Sequence, residues 1–169
     1  IIIHPNTLPK SLIYLEIYLH DYIIPIKFPF EPNAIPESVQ YITIQGSINC
    51  AFYRNDIFPK NLKELVLEKV YFENCISEPK KRRFLPDSLK KLVFDCHTYY
   101  IDIDFLPQKL KYVSFYNFTQ SINKYTLPLS LEHIKCWNIS SEYIAKKSFS
   151  QSLTHLELDI ISKEFVNHI

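Results

Sequence analysis

Six histidines and four cysteines are the side chains here best suited to hold a metal ion or to attack a substrate. The cysteines, Cys50, Cys75, Cys96 and Cys136, are scattered and form no C-x-x-C pair, so they lack zinc-site spacing. Thiols distributed in this way read as reduced, partly buried cysteines of a cytoplasmic protein. Among the histidines one pair stands out. His133 and His155, close in sequence to Glu157 and Asp159, occupy the same place in successive copies of a repeat. A closed metal site needs more converging ligands than two imidazoles, so these read as solvated or partner-facing, and no metal is assigned. No G-x-S-x-G, H-E-x-x-H or paired-carboxylate frame is present. Phosphate-cradling loops and dinucleotide fingerprints need several glycines, and Gly46 is the single glycine of the chain. Neither a cofactor nor an enzyme activity is therefore expected.

A length of 169 residues suits one domain, 1–169, with a substantial core. The chain is 47% hydrophobic and 22% charged, with a net charge of +1. That balance gives no general reason to expect nucleic acid or a membrane surface as partner. The dense basic run Lys80-Lys81-Arg82-Arg83 reads as a solvated loop between repeats. No apolar run reaches the ~18–20 residues of a membrane-spanning helix. The sequence opens at Ile1, contains no Met and shows no signal-peptide pattern, so it reads as an excerpt of a longer chain. Two sequons, Asn117-Phe118-Thr119 and Asn138-Ile139-Ser140, read as chance matches.

The elements that would position these side chains come from a repeat. Leu8-Pro9-Lys10-Ser11-Leu12 recurs as Ile35-Pro36-Glu37-Ser38-Val39, Phe58-Pro59-Lys60-Asn61-Leu62 and Leu85-Pro86-Asp87-Ser88-Leu89. It continues as Leu106-Pro107-Gln108-Lys109-Leu110, Leu127-Pro128-Leu129-Ser130-Leu131 and, with serine for proline, Phe149-Ser150-Gln151-Ser152-Leu153. Units thus start near 8, 35, 58, 85, 106, 127 and 149, and their anchors are 27, 23, 27, 21, 21 and 22 residues apart.

Each copy runs on into L-x-x-L-x-L, as in Leu62-Leu65-Leu67 and Leu89-Leu92-Phe94. Its last two apolar positions lie two apart, which is strand periodicity. A lone strand of this kind cannot bury its apolar side, but strands stacked in parallel at ~4.8 Å form one ladder. Proline before each strand presets the turn, and its missing N–H leaves the ladder intact. The expected fold is a leucine-rich-repeat-like solenoid. It would be a curved parallel β-sheet of about seven short strands, with a mostly irregular convex side and little helix. An ordinary β protein with proline-rich turns is the alternative.

On these residues the chain resembles the FNIP-repeat family, a leucine-rich-repeat relative of social amoebae and of the giant viruses that infect amoebae. The family unit reads roughly L-P-x-S-L-x-x-L-x-F-G, then F-N-Q-P-I. Leu85 to Phe94 matches the first half best, and Phe118-Thr119-Gln120-Ser121-Ile122 the second. The family's glycine after the strand is replaced by residues such as Asp95, Tyr116 and Trp137. The segment Tyr18 to Ala34, with Pro25, Pro29 and Pro32, is expected to be an irregular convex loop or cap. The resemblance implies protein interaction and, where a family member carries an N-terminal F-box, substrate recognition for a cullin-type ubiquitin ligase.

The residues flanking each central strand position should point away from the ladder, toward the concave face. They include Tyr14, Tyr18, Tyr41, Tyr112, Tyr116, His133, Lys135 and Trp137. Tyrosine and tryptophan bring large contact area with few rotors and a polar tip, so they suit interfaces, although strands favour aromatics in any case. A partner site is therefore expected on Tyr112, Tyr116, Trp137, Tyr41, Lys135 and His133. The expected partner is another protein, with no nucleic acid and no membrane. Self-association, or a structural role in a larger viral or cellular particle, is the other reading.

Overall fold

The computed structural model describes residues 2–19, 26–27, 30–49, 57–71, 85–97, 106–116, 127–140 and 149–161. Eight strands run in chain order: β1 Tyr14–Tyr18, β2 Ile26–Lys27, β3 Tyr41–Asn49, β4 Glu64–Tyr71, β5 Lys91–His97, β6 Tyr112–Tyr116, β7 His133–Ser140 and β8 His155–Ile161. All belong to one sheet in the order β1-β3-β4-β5-β6-β7-β8, with the two-residue β2 pairing β3. Every pairing is parallel. No helix occurs among the described residues.

Each of the seven longer strands is launched by the same turn. The N–H of Leu12 donates to the carbonyl of Pro9 at 3.1 Å, and Val39, Leu62, Leu89, Leu110 and Leu131 repeat this bond to their own prolines. Leu153 makes it to Ser150 at 3.3 Å, so the turn survives loss of the proline ring. The carbonyl just before each strand then accepts two N–H groups from the next unit. Lys63 and Glu64 share Gln40 at 2.8 and 3.1 Å, and Lys90 and Lys91 share Lys63 at 2.8 and 3.1 Å. Turn and strand are thereby tied to the neighbouring unit through the backbone alone.

The core is the expected ladder. Ile42, Leu65, Leu92, Val113 and Ile134 form one buried column, and Ile44, Leu67, Phe94, Phe115 and Cys136 the next. The apolar residue before each strand, from Val39 through Leu131, closes the ladder on the turn side. Burial at about 25 cal/mol per Å² makes these stacked columns the main source of stability. At the last strand the columns run out: Leu156 is 45% and Ile160 50% exposed.

Part of the segment expected to be irregular is regular. Ile3 bridges Phe30 in parallel, and the Glu31 N–H donates to the Ile3 carbonyl at 3.0 Å. Two matching turns follow, closed by Thr7 N–H to the His4 carbonyl and Ala34 N–H to the Glu31 carbonyl. Each has proline second and asparagine third, with Asn6 at φ 65° and Asn33 at φ 60°. Asparagine tolerates that left-handed region better than most residues. Of the remainder of Tyr18 to Ala34, residues 20–25 and 28–29 lie outside the described residues, as do Phe118 to Ile122 and Lys80 to Arg83.

Three strands carry a break in register just beyond the ladder, between Gln45 and Ile48, Glu68 and Val70, and Cys136 and Ile139. Left-handed residues sit inside each: Gly46 at φ 130°, Lys69 at 58° and Asn138 at 54°. The residue that needs glycine-like freedom thus stands one place after the position where the family places its glycine. At Gly46 a Cβ would lie 2.2 Å from the Leu19 carbonyl oxygen, whose own N–H bonds the Gln45 carbonyl at 2.8 Å. Only glycine allows that approach.

Candidate functional site

The face opposite the core is assembled by the register. Its first column is Tyr14, Tyr41, Glu64, Lys91, Tyr112, His133 and His155, one residue from each long strand. The second is Glu16, Thr43, Val66, Val93, Ser114, Lys135 and Glu157. The third begins Tyr18, Gln45, Glu68, Asp95, and Tyr116 pairs Trp137 further along. All six residues expected to form the partner site, Tyr41, Tyr112, Tyr116, His133, Lys135 and Trp137, lie on this one face.

Neighbours within a column interact at the spacing of adjacent strands. Tyr14 and Tyr41 stack with ring centroids 4.5 Å apart and planes 11° from parallel. The Lys91 ammonium lies 3.1 Å from a Glu64 carboxylate oxygen and 5.8 Å from the Tyr112 ring centroid. His133 stacks on His155 at 4.1 Å and leans against Tyr112 at 6.1 Å. In the second column Lys135 meets Glu157 at 2.9 Å and lies 4.5 Å above the Trp137 ring. Such cross-strand pairs each contribute roughly 0.2–1 kcal/mol.

Exposure is uneven over this face. Tyr14 is 64% exposed, Tyr18 57% and Tyr116 40%. Tyr112 and Trp137 are half-buried, each covered on one side by a lysine. The wettest rings therefore sit at the β1 end, at Tyr14 and Tyr18. Ser114 is buried among the outward residues, leaving a low point between Tyr112 and Tyr116.

The Tyr18 hydroxyl donates to Glu16 at 3.1 Å. That bond, the Glu16 charge, burial and the charge of Glu68 together raise its pKa above the ordinary tyrosine value. At the turn side Glu132 receives a hydrogen bond from Lys111, and this bond and the Lys111 charge hold its carboxyl below the usual range.

No group of three or more His, Cys, Asp or Glu side chains could hold a metal among the described residues. His133 and His155 lie face to face, not converging on a common point. Cys136 is a free buried thiol whose pKa burial pushes up to about 12, which makes it a poor nucleophile. A groove of about 260 Å³ lies on the turn side between the first two units, lined by Asn6, Leu8, Lys10, Asn33, Pro36 and Glu37. It brings together no catalytic pairing.

Sequence reasoning missed the role of the serine in the repeat. Ser38 donates its hydroxyl to the Leu12 carbonyl at 2.7 Å, Ser88 to Leu62 at 2.7 Å, Ser130 to Leu110 at 2.6 Å and Ser152 to Leu131 at 2.7 Å. Asn61 reaches back in a similar way, to the Glu37 carbonyl at 3.3 Å. Recurrence of a small hydroxyl at one position of an apolar repeat was the available signal.

Comparison with known proteins agrees with this architecture. The FNIP Repeat family model matches residues 78–116 and 100–135. No curated protein matches the sequence. The crystal structure of the giant-virus protein CroV588, described as a novel circular LRR protein structure, is similar at 25% identity and a TM-score of 0.66. The match covers 95% of this chain but 26% of that one, so this chain spans about a quarter of its length. Family match and shared fold lead to one conclusion: residues 78–135 match FNIP repeats, and the described strands stack as a leucine-rich-repeat-like solenoid.

Proposed function

We propose that this chain is a non-enzymatic scaffold that holds another protein on the open face of its parallel sheet. One observation carries the reading. The face keeps Tyr14, Tyr18 and Tyr116 substantially exposed, whereas Phe30, Phe58, Phe94 and Phe115 are buried in the core. Aromatic rings left wet on a rigid sheet lose large area on docking without much loss of conformational freedom. The neighbouring Tyr41, Tyr112, His133, Lys135 and Trp137 extend the same surface. Action in the cytoplasm is part of this proposal and fits the unpaired Cys136. A ligase-adaptor version adds an F-box, as in some members of the family, outside residues 1–169.

The test is capture from lysate by the wild type and by a Tyr112→Ala, Tyr116→Ala, Trp137→Ala variant. Each true hot spot should cost roughly 2 kcal/mol or more, so the variant should lose its partners while remaining folded. Replacing Lys80 to Arg83 by Ala should leave capture intact. Loss with the basic variant and retention with the aromatic one would move the site to Lys80 to Arg83.

A second reading, assembly with further copies or within a larger particle, is favoured by the exposed Leu156 and Ile160 on β8. It predicts concentration-dependent larger species in sedimentation velocity that Leu156→Lys abolishes.

A further inference from the structure

We infer that the open face docks a basic, extended segment of its protein partner, seating Lys or Arg side chains between carboxylates and aromatic rings. The inference rests on the scaffold reading and narrows it to a partner chemistry.

Charge is its first ground. The open face carries six carboxylates, Glu16, Glu64, Glu68, Asp95, Glu157 and Asp159, against two ammonium groups, Lys91 and Lys135. The chain as a whole is at +1, so the acid is concentrated on this side. Such a field steers a basic segment toward the face and repels nucleic acid.

The face itself shows how it holds a cation. Lys91 has the Glu64 carboxylate at 3.1 Å and the Tyr112 ring beside it. Lys135 has Glu157 at 2.9 Å and the Trp137 ring beneath it. In both cases an ammonium joins an acid on a neighbouring strand to an aromatic ring, which adds cation–π attraction to the ion pair.

A third acid–aromatic group has no lysine of its own. Glu68 and Asp95 are register partners on β4 and β5, both half-buried, and neither makes an ion pair among the described residues. Like charges directly opposite on paired strands repel, and a cation from outside removes that cost. The next strand brings Tyr116, exposed on the same face and paired in register with Trp137. A lysine or arginine entering here completes the arrangement seen twice nearby. Seven strands at ~4.8 Å make a face about 30 Å across, which an extended peptide of about nine residues spans.

The experiment is fluorescence anisotropy with the intact chain and a labelled peptide of about ten residues alternating Arg and Ser. Saturable binding is expected, weakening as salt is raised. Glu68→Gln combined with Asp95→Asn should weaken it by about tenfold or more, and Tyr116→Ala should do so independently. Glu31→Gln combined with Glu37→Gln makes the same change in net charge on the turn side and should stay within about twofold. Thermal melts of each variant check folding.

Equal losses in the face and turn-side variants would overturn the inference, because attraction would then be to net charge alone. Equal binding of a Glu–Ser peptide would overturn it too. A chain that ignores the basic peptide, yet loses lysate partners on truncation of Tyr112, Tyr116 and Trp137, overturns this inference while the scaffold reading stands.

Discussion

Ser88 donates its hydroxyl to the carbonyl of Leu62, twenty-six residues earlier and one unit back, at 2.7 Å. The serine sits in a turn, the carbonyl in the preceding unit's turn, and the bond ties the two before their strands begin. Ser88→Ala should cost about 1–3 kcal/mol, the penalty of a half-buried acceptor left unmet. In the fifth unit Lys109 stands in the serine position and is exposed. Lys109→Ser should restore the series and gain about 1 kcal/mol in urea unfolding. No change in either variant would show that water serves these carbonyls equally well.

The ladder and its end should respond differently to truncation. Leu92 and Phe115 are fully or almost fully buried, so Leu92→Ala and Phe115→Ala should each cost about 2–5 kcal/mol. Leu156 holds the Leu92 column position on β8 but is nearly half exposed. Leu156→Ala should therefore cost clearly less, and the exposed Lys90→Ala should stay within about 0.5 kcal/mol. Chemical denaturation midpoints give the comparison.

Gly46→Ala should destabilise by about 1–3 kcal/mol or more, since it places a side chain at φ 130° and into the Leu19 backbone. Hydrogen exchange should locate the damage. The Leu19 amide, bonded to Gln45, should lose protection first, while Leu92 in the central strand keeps its own.

Stability should fall at high pH partly through Cys136. Burial pushes its thiol up to about 12, above the ~8.5 of an exposed thiol, so the neutral form belongs to the folded state. The associated stability is fully present below the unfolded pKa and is lost as pH rises toward the folded one. The advantage of wild type over Cys136→Ala should then shrink between about pH 8 and about pH 11. A constant gap would mean that the thiol ionises alike in both states.

Register was the most legible feature of this chain. Each proline fixes a turn, each turn a strand start, and alternation does the rest, so Tyr14, Tyr41, Glu64, Lys91, Tyr112, His133 and His155 align as the repeat requires. The first two units hid a second alignment. Pro5-Asn6 and Pro32-Asn33 share the 27-residue spacing of Pro9 and Pro36, yet prolines in a long insertion read as disorder of the pattern. Their meaning depends on the positive φ of Asn6 and Asn33, which composition does not show. The wetness of the face was equally hidden. Tyr112 and Trp137 are half-covered because Lys91 and Lys135 lie against them, while Tyr14 and Tyr18 at the sheet edge have a neighbouring strand on one side only.

The constant register amid anchors 21 to 27 residues apart has an evolutionary consequence. Unequal crossing-over at any two Leu-Pro junctions deletes or duplicates whole units without breaking the strand alignment. Excision from Pro86 to Leu106 would join Leu85 to Pro107 and set Tyr112 beside Glu64, the place that Lys91 now fills. One recombination event would thus erase an ion pair and write a new neighbour into the face, with Val113 and Phe115 taking the ladder places of Leu92 and Phe94.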